Sequence, residues 1–194
     1  MIGGYFAIDK VFQASRLGKL WKQVAFYSIL ICLLNAVTIG VTRTDVVKAI
    51  FPISAKTYWF ASVYMGLLVL MPFVSMVAAR MTRRQYQYLL GALTLFLSVN
   101  HMIFRVDTYG TFSGRELPWF IYLTLLAGYV KLHTKEDRRY AWYGFAGYVV
   151  SSLAVLASVY LSVKTHQEDI GYFLNYNSPL ALLGTLALFV CVRN

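Results

Sequence analysis

Acidic residues are scarce in this chain: 8 Asp and Glu stand against 18 Lys and Arg in 194 residues. Charged residues of both signs together make up only 13%, too few to solvate the surface of an ordinary globular domain. Cysteine is almost absent. Cys32 and Cys191 each lie inside an apolar stretch, so neither a disulfide framework nor a metal site is indicated. Histidine occurs 3 times, and neither His133 nor His166 has a Ser, Cys or Asp at a spacing that argues nucleophilic catalysis; both read as solvated loop residues. There is no internal repeat, low-complexity tract or long linker, so residues 1–194 read as one helical domain. Nor does the start resemble a secretion signal. Residues 1–8 are apolar with no basic residue ahead of them and Asp9 and Lys10 directly behind, the reverse of a signal's charge order. They read as the tail of a preceding helix.

What is abundant is apolar sequence, at 59% of residues and a mean hydropathy of +0.59. It falls into six stretches, 24–41, 58–79, 86–104, 118–132, 141–163 and 179–192. A helix needs roughly 20 apolar residues to cross about 30 Å of hydrocarbon, which the fourth and sixth stretches barely approach. They are expected either as tilted partners among longer helices or as segments that stop partway. The implied architecture is all-α, a polytopic transmembrane bundle of about six spans. Pro72 inside the second stretch frees a carbonyl one turn earlier, and a kink is expected over 68–72.

Basic residues alternate between the connections. Lys10, Arg16, Lys19, Lys22, Arg80, Arg83, Arg84, Lys131, Lys135, Arg138, Arg139 and Arg193 fall on one side. Arg43, Lys48, Lys56, Arg105, Arg115 and Lys164 fall on the other, diluted there by Asp45, Asp107, Glu116, Glu168 and Asp169. The positive-inside tendency then puts both termini in the cytoplasm. Trp21, Trp59, Trp119 and Trp142 stand at stretch ends, where an amphipathic ring prefers the membrane interface. Basic residues clustered beside spans read as topology signals and lipid-headgroup contacts, which argues against nucleic acid as a partner.

The segments between spans carry the irregular chemistry. In 42–57, Val46, Val47, Ile50 and Phe51 recur at helical spacing before Pro52, suggesting a short helix at the outer interface. The polar loop 105–117 offers Asp107, Arg115 and Glu116 as candidate contacts for a hydroxylated acceptor. On the opposite side Arg16, Lys19 and Lys22, at i, i+3 and i+6, form a cationic helical stripe suited to phosphate. Their plainer role is as membrane anchors. His101, beside Asn100 and one turn before Arg105, is an ionisable group near a span end and the weak candidate for catalysis. On the first span Asn35 and Thr38 share a face as interhelical glue.

Several runs resemble the acyltransferase 3 family, the membrane O-acyltransferases of bacterial surface glycans. They are Met1-Ile2-Gly3-Gly4-Tyr5-Phe6; the basic segment from Arg16 to Tyr27-Ser28; Phe51-Pro52-Ile53-Ser54 followed by Tyr58-Trp59-Phe60; Pro118-Trp119-Phe120-Ile121-Tyr122-Leu123 with Ala127-Gly128-Tyr129; and Asn177-Ser178-Pro179. Order and spacing follow the family over nearly the whole chain, with Gly3 where the family usually has Ser. The resemblance implies acyl transfer, usually of acetyl from cytoplasmic acetyl-CoA, to hydroxyls of a polysaccharide acceptor, in a multi-pass protein of the cell's inner membrane, with lipid around it and no bound cofactor. It also implies a catalytic histidine on a helix upstream of the segment matched by residues 1–6, and further helices after the last span. No histidine precedes His101. By that comparison the chain is expected to be a portion of an acyltransferase, inactive without the missing part as a partner. A non-enzymatic membrane protein of glycan export or assembly is the alternative.

Overall fold

A computed structural model describes residues 2–8, 14–165 and 172–194. Of the described residues 81% are helical, with no strand among them. All six apolar stretches are helical: α2 (Ala14–Thr38), α4 (Trp59–Arg80), α5 (Arg83–Thr94) continuing through a π turn (Leu95–Val99) into α6 (Asn100–Phe104), α7 (Leu117–His133), α8 (Arg138–Lys164) and α9 (Pro179–Arg193). Two short helices complete the set, α1 (Ile2–Ala7) and α3 (Arg43–Ile50). Four of these segments are long and apolar enough to cross a membrane, namely 15–38, 59–80, 83–104 and 138–164.

Local chemistry sets the boundaries. Thr82 and Gln85 close a capping box at the start of α5, as Thr42 and Asp45 do for α3. Pro118 and Pro179 stand in the first turns of α7 and α9, where their missing N–H costs nothing. In α4, Pro72 lies inside a helix assigned without a break from Trp59 to Arg80. The third span holds the backbone irregularity that hydropathy did not announce. There the Asn100 N–H reaches the Leu95 carbonyl, an i to i+5 bond that inserts one extra residue into the turn.

The core is built around α7. At 17 residues it is about 26 Å long, somewhat short of a full span, and it is the most enclosed of the helices. Trp119, Tyr122, Thr124, Leu125, Leu126, Ala127, Gly128 and Val130 are all buried, walled by α1, α4 and α5. Trp119, read from sequence as an interface anchor, is instead only 2% exposed and packs on Tyr122 at 5.1 Å. Surrounded by other helices, it has no interface to reach. Tyr86 sends its hydroxyl to the Leu125 carbonyl at 2.8 Å, and Thr94 Oγ1 meets Tyr122 OH at 2.7 Å. In α1, Gly4 sits on Thr124, so close that a Cβ there would lie 2.9 Å from the Thr124 Cα.

The remaining spans are more peripheral. α2 packs on α3 and α4, and α8 pairs with α9 as a tight hairpin. A Cβ on Gly144 would stand 2.6 Å from the Ala187 carbonyl oxygen and 2.7 Å from the Cys191 nitrogen, so the two backbones are in contact there through a small residue. The hairpin is tied to α7 by Arg193. Its guanidinium donates to the Val130 carbonyl at 2.9 Å, to the Thr134 carbonyl at 2.9 Å and to Thr134 Oγ1, satisfying the exposed end of α7, while Nε faces Glu136 at 3.5 Å.

Candidate functional site

At one end of the bundle, the loop end, three sequence-distant segments converge. Loop 105–117 is shaped by Thr111, which is 1% exposed. Its N–H and Oγ1 donate to Asp107 Oδ1 at 2.7 and 2.8 Å, and its carbonyl accepts from Gly114, Arg115 and Glu116. Gly114, at φ +85°, lets the loop touch the chain at 176–177, where a Cβ would fall 2.6 Å from Tyr176 Cβ. The contact is completed by the Tyr176 N–H on the Ser113 carbonyl. From the third segment, Lys56 pairs with Glu116 at 2.8 Å, and Trp59 lies 6.4 Å from Phe120 and 6.3 Å from Tyr176.

Asn177 is the hub of this assembly and has no exposed surface. Its carbonyl accepts from Ser98 Oγ at 2.7 Å, and its Nδ2 donates to the Leu97 carbonyl at 3.3 Å and to Thr111 Oγ1 at 3.1 Å. Both Ser98 and Leu97 belong to the π turn. Asn177 Oδ1 and the hydroxyl of Ser178 are buried and meet no protein partner. Sequence reading singled out the Asn-Ser-Pro run without finding this role, because its partners lie 66 to 80 positions away.

The three acceptor-side candidates are therefore brought together, each with its own local duty: Asp107 shapes the loop, Glu116 holds Lys56, and Arg115 lies 6.0 Å over the Tyr176 ring. His101, at the last turn of α6, places Nδ1 3.4 Å from the Val106 carbonyl, just before Arg105 turns left-handed at φ 54°. His166 lies outside the described residues, as does Lys10.

The cationic stripe is split. Arg16 and Lys19 line a cavity of ≈ 310 Å³ with Gly3, Phe6, Leu20, Gln23, Tyr64 and Leu68, but Lys22 is not on its wall. Six positions along a helix turn a side chain about 120° away from the first, so i, i+3 and i+6 do not share one face. Tyr64 and Leu68 belong to the half of α4 nearer the loop end. Arg16 and Lys19, both exposed, belong to the first turns of α2, and their side chains reach this cavity beside α4. The cavity joins the Gly-Gly-Tyr-Phe run to the basic segment of α2. Among the described residues no group of three or more His, Cys, Asp or Glu is placed to hold a metal.

Long apolar helices, a buried polar hub at one end and a cavity lined by two cations define a helical membrane protein with a ligand-sized cavity. The acyltransferase-domain family matches residues 1–194, the whole chain, which belongs to the acyltransferase 3 family. No curated protein and no solved structure matches it.

Proposed function

We propose that this protein transfers an acyl group, acetyl from acetyl-CoA, to a hydroxyl of a cell-surface or exported polysaccharide. The observation that carries the reading is the cavity holding Arg16 and Lys19. Its cations suit the phosphates of a CoA donor, and Phe6, Leu20 and Leu68 suit the apolar arm. In the reaction the sugar oxygen attacks the thioester carbonyl, the C–O bond forms, the C–S bond breaks, and the hydroxyl proton must pass to a base as the thiol leaves. No histidine lines this cavity. General-base help contributes a factor of roughly 10² to 10⁴, and the histidine that family resemblance implies would supply it.

The test is acetyl transfer from labelled acetyl-CoA to a glycan acceptor in nanodiscs. The 194-residue chain alone should give background counts, co-expression with a histidine-bearing helix should raise them, and Arg16→Gln with Lys19→Gln should abolish the gain. Robust transfer by the isolated chain that vanishes in His101→Ala would overturn this assignment and move the catalytic centre to the loop end.

A further inference from the structure

At the opposite end of the bundle, the start of α5, the segment 133–135 and the first turn of α8 come together with the end of α9. They form a half-open cavity of ≈ 500 Å³ whose wall includes Arg83, His133, Lys135, Tyr140 and Arg193. Three basic side chains and a histidine line one space together with Asn194, and no Asp or Glu side chain is on its wall. Asp137 is occupied by capping α8 through the Arg139 N–H at 2.9 Å, and Glu136 takes the Nε edge of Arg193 from a neighbouring groove.

Two further features point to an anion. His133 Nε2 is buried without a protein partner, its ring packed against Tyr129 at 5.2 Å and Tyr86 at 5.8 Å. Helix ends of both signs meet here, the negative ends of α7 and α9 and the positive ends of α5 and α8. α7 would turn its negative end toward the cavity, but Arg193 covers its last carbonyls, while Arg83 and Tyr140 come from the first turns of α5 and α8, the positive ends of those helices. On the other side of Arg193 runs an apolar groove of ≈ 640 Å³, lined by Tyr5, Phe6, Leu188, Phe189 and Val192. Tyr5 lies under Lys131 at 5.3 Å and under Arg193 at 5.8 Å.

We infer that the cavity of Arg83, His133, Lys135 and Arg193 binds the phosphate of an amphiphilic phosphoester whose chain follows the groove past Tyr5. Basic pockets between membrane helices hold anionic headgroups through this chemistry, and a CoA ester presents the same phosphate and chain. This site is separate from the Arg16 and Lys19 cavity and stands or falls on its own.

The full chain would be reconstituted in phosphatidylcholine nanodiscs with or without phosphatidylglycerol, and in a second arm titrated with coenzyme A, with inorganic phosphate as competitor. Retained lipid would be read by native mass spectrometry and coenzyme A by equilibrium binding. Arg83→Gln with Lys135→Gln should weaken retention of at least one phosphate ligand by about tenfold or more, since charge-assisted bonds are lost. The charge-preserving pair Arg83→Lys with Lys135→Arg should keep it, which separates lost charge from lost folding. Loss confined to phosphatidylglycerol identifies a lipid site; loss of coenzyme A with Arg16→Gln and Lys19→Gln unaffected keeps this inference and removes the donor role from the other cavity. Unchanged retention of both ligands in the Gln pair, equal loss in the charge-preserving pair, or no binding by the unaltered chain would overturn it.

Discussion

Replacing Asn177 by alanine removes two donor bonds at once, to the Leu97 carbonyl and to Thr111 Oγ1, while leaving the backbone acceptor for Ser98 in place. A hydrogen bond between membrane helices averages about 0.6 kcal/mol and reaches about 1.7 at most; stranding a buried partner in a dry site costs about 1–3 kcal/mol. Thr111 Oγ1 keeps its bond to Asp107, so its loss belongs at the lower figure. The Leu97 carbonyl belongs nearer the higher one, giving a total of roughly 2–4 kcal/mol. Reversible unfolding in mixed micelles measures the total, and hydrogen exchange at 95–101 and 107–117 shows where it is felt. Asn177→Asp keeps the size and loses the donors, so it should be at least as damaging. A change below about 0.5 kcal/mol in both variants, with exchange unaltered, would refute the hub.

Other expectations follow from other contacts. Gly144→Ala forces a methyl against the Ala187 carbonyl and should cost about 1–3 kcal/mol as α8 and α9 separate; unchanged thermal stability in detergent would contradict the close approach. The charge division between the two ends is checked by impermeant thiol labelling after replacing Cys32 and Cys191. Val106→Cys should label from outside the cell and Arg84→Cys should not, the reverse result inverting the topology. The Thr42 hydroxyl and N–H donate to Asp45 at 2.6 and 3.0 Å and hold its carboxyl below the ordinary carboxylate value. The α3 cap should therefore be intact above the usual carboxylate range and lost only as pH falls through the lowered value. An NMR titration of Asp45 with a normal or raised midpoint would sink that account.

Hydropathy and capping chemistry made the helices legible: each apolar stretch is helical, and the spacing of Val46, Val47, Ile50 and Phe51 marked α3. The short fourth stretch became intelligible only in the structure, since α7 is sheathed by α1, α4 and α5 and so needs less length against lipid. Long-range polar partnerships stayed hidden. Arg193 counts in the sequence as one more topology charge, yet its side chain is only 8% exposed and closes α7 from 59 to 63 positions away. Asn177 is likewise an ordinary turn residue until the π turn supplies its partners. Of the site residues, Asp107, Arg115 and Glu116 do cluster, whereas Lys22 leaves the stripe because a helix turns 3.6 residues at a time.

The extra residue of the π turn has a consequence for reading related sequences. Each inserted position rotates everything after it by about 100°. With it, Tyr86 and Leu90 face the core before the turn and Ser98 faces Asn177 within it. Deleting one of the residues 95–97 would leave an unbroken apolar span of normal appearance, yet would swing Ser98 away from its partner. A relative that had lost the turn should therefore show a one-residue gap in the middle of a membrane helix, and a compensating change at the position of Asn177.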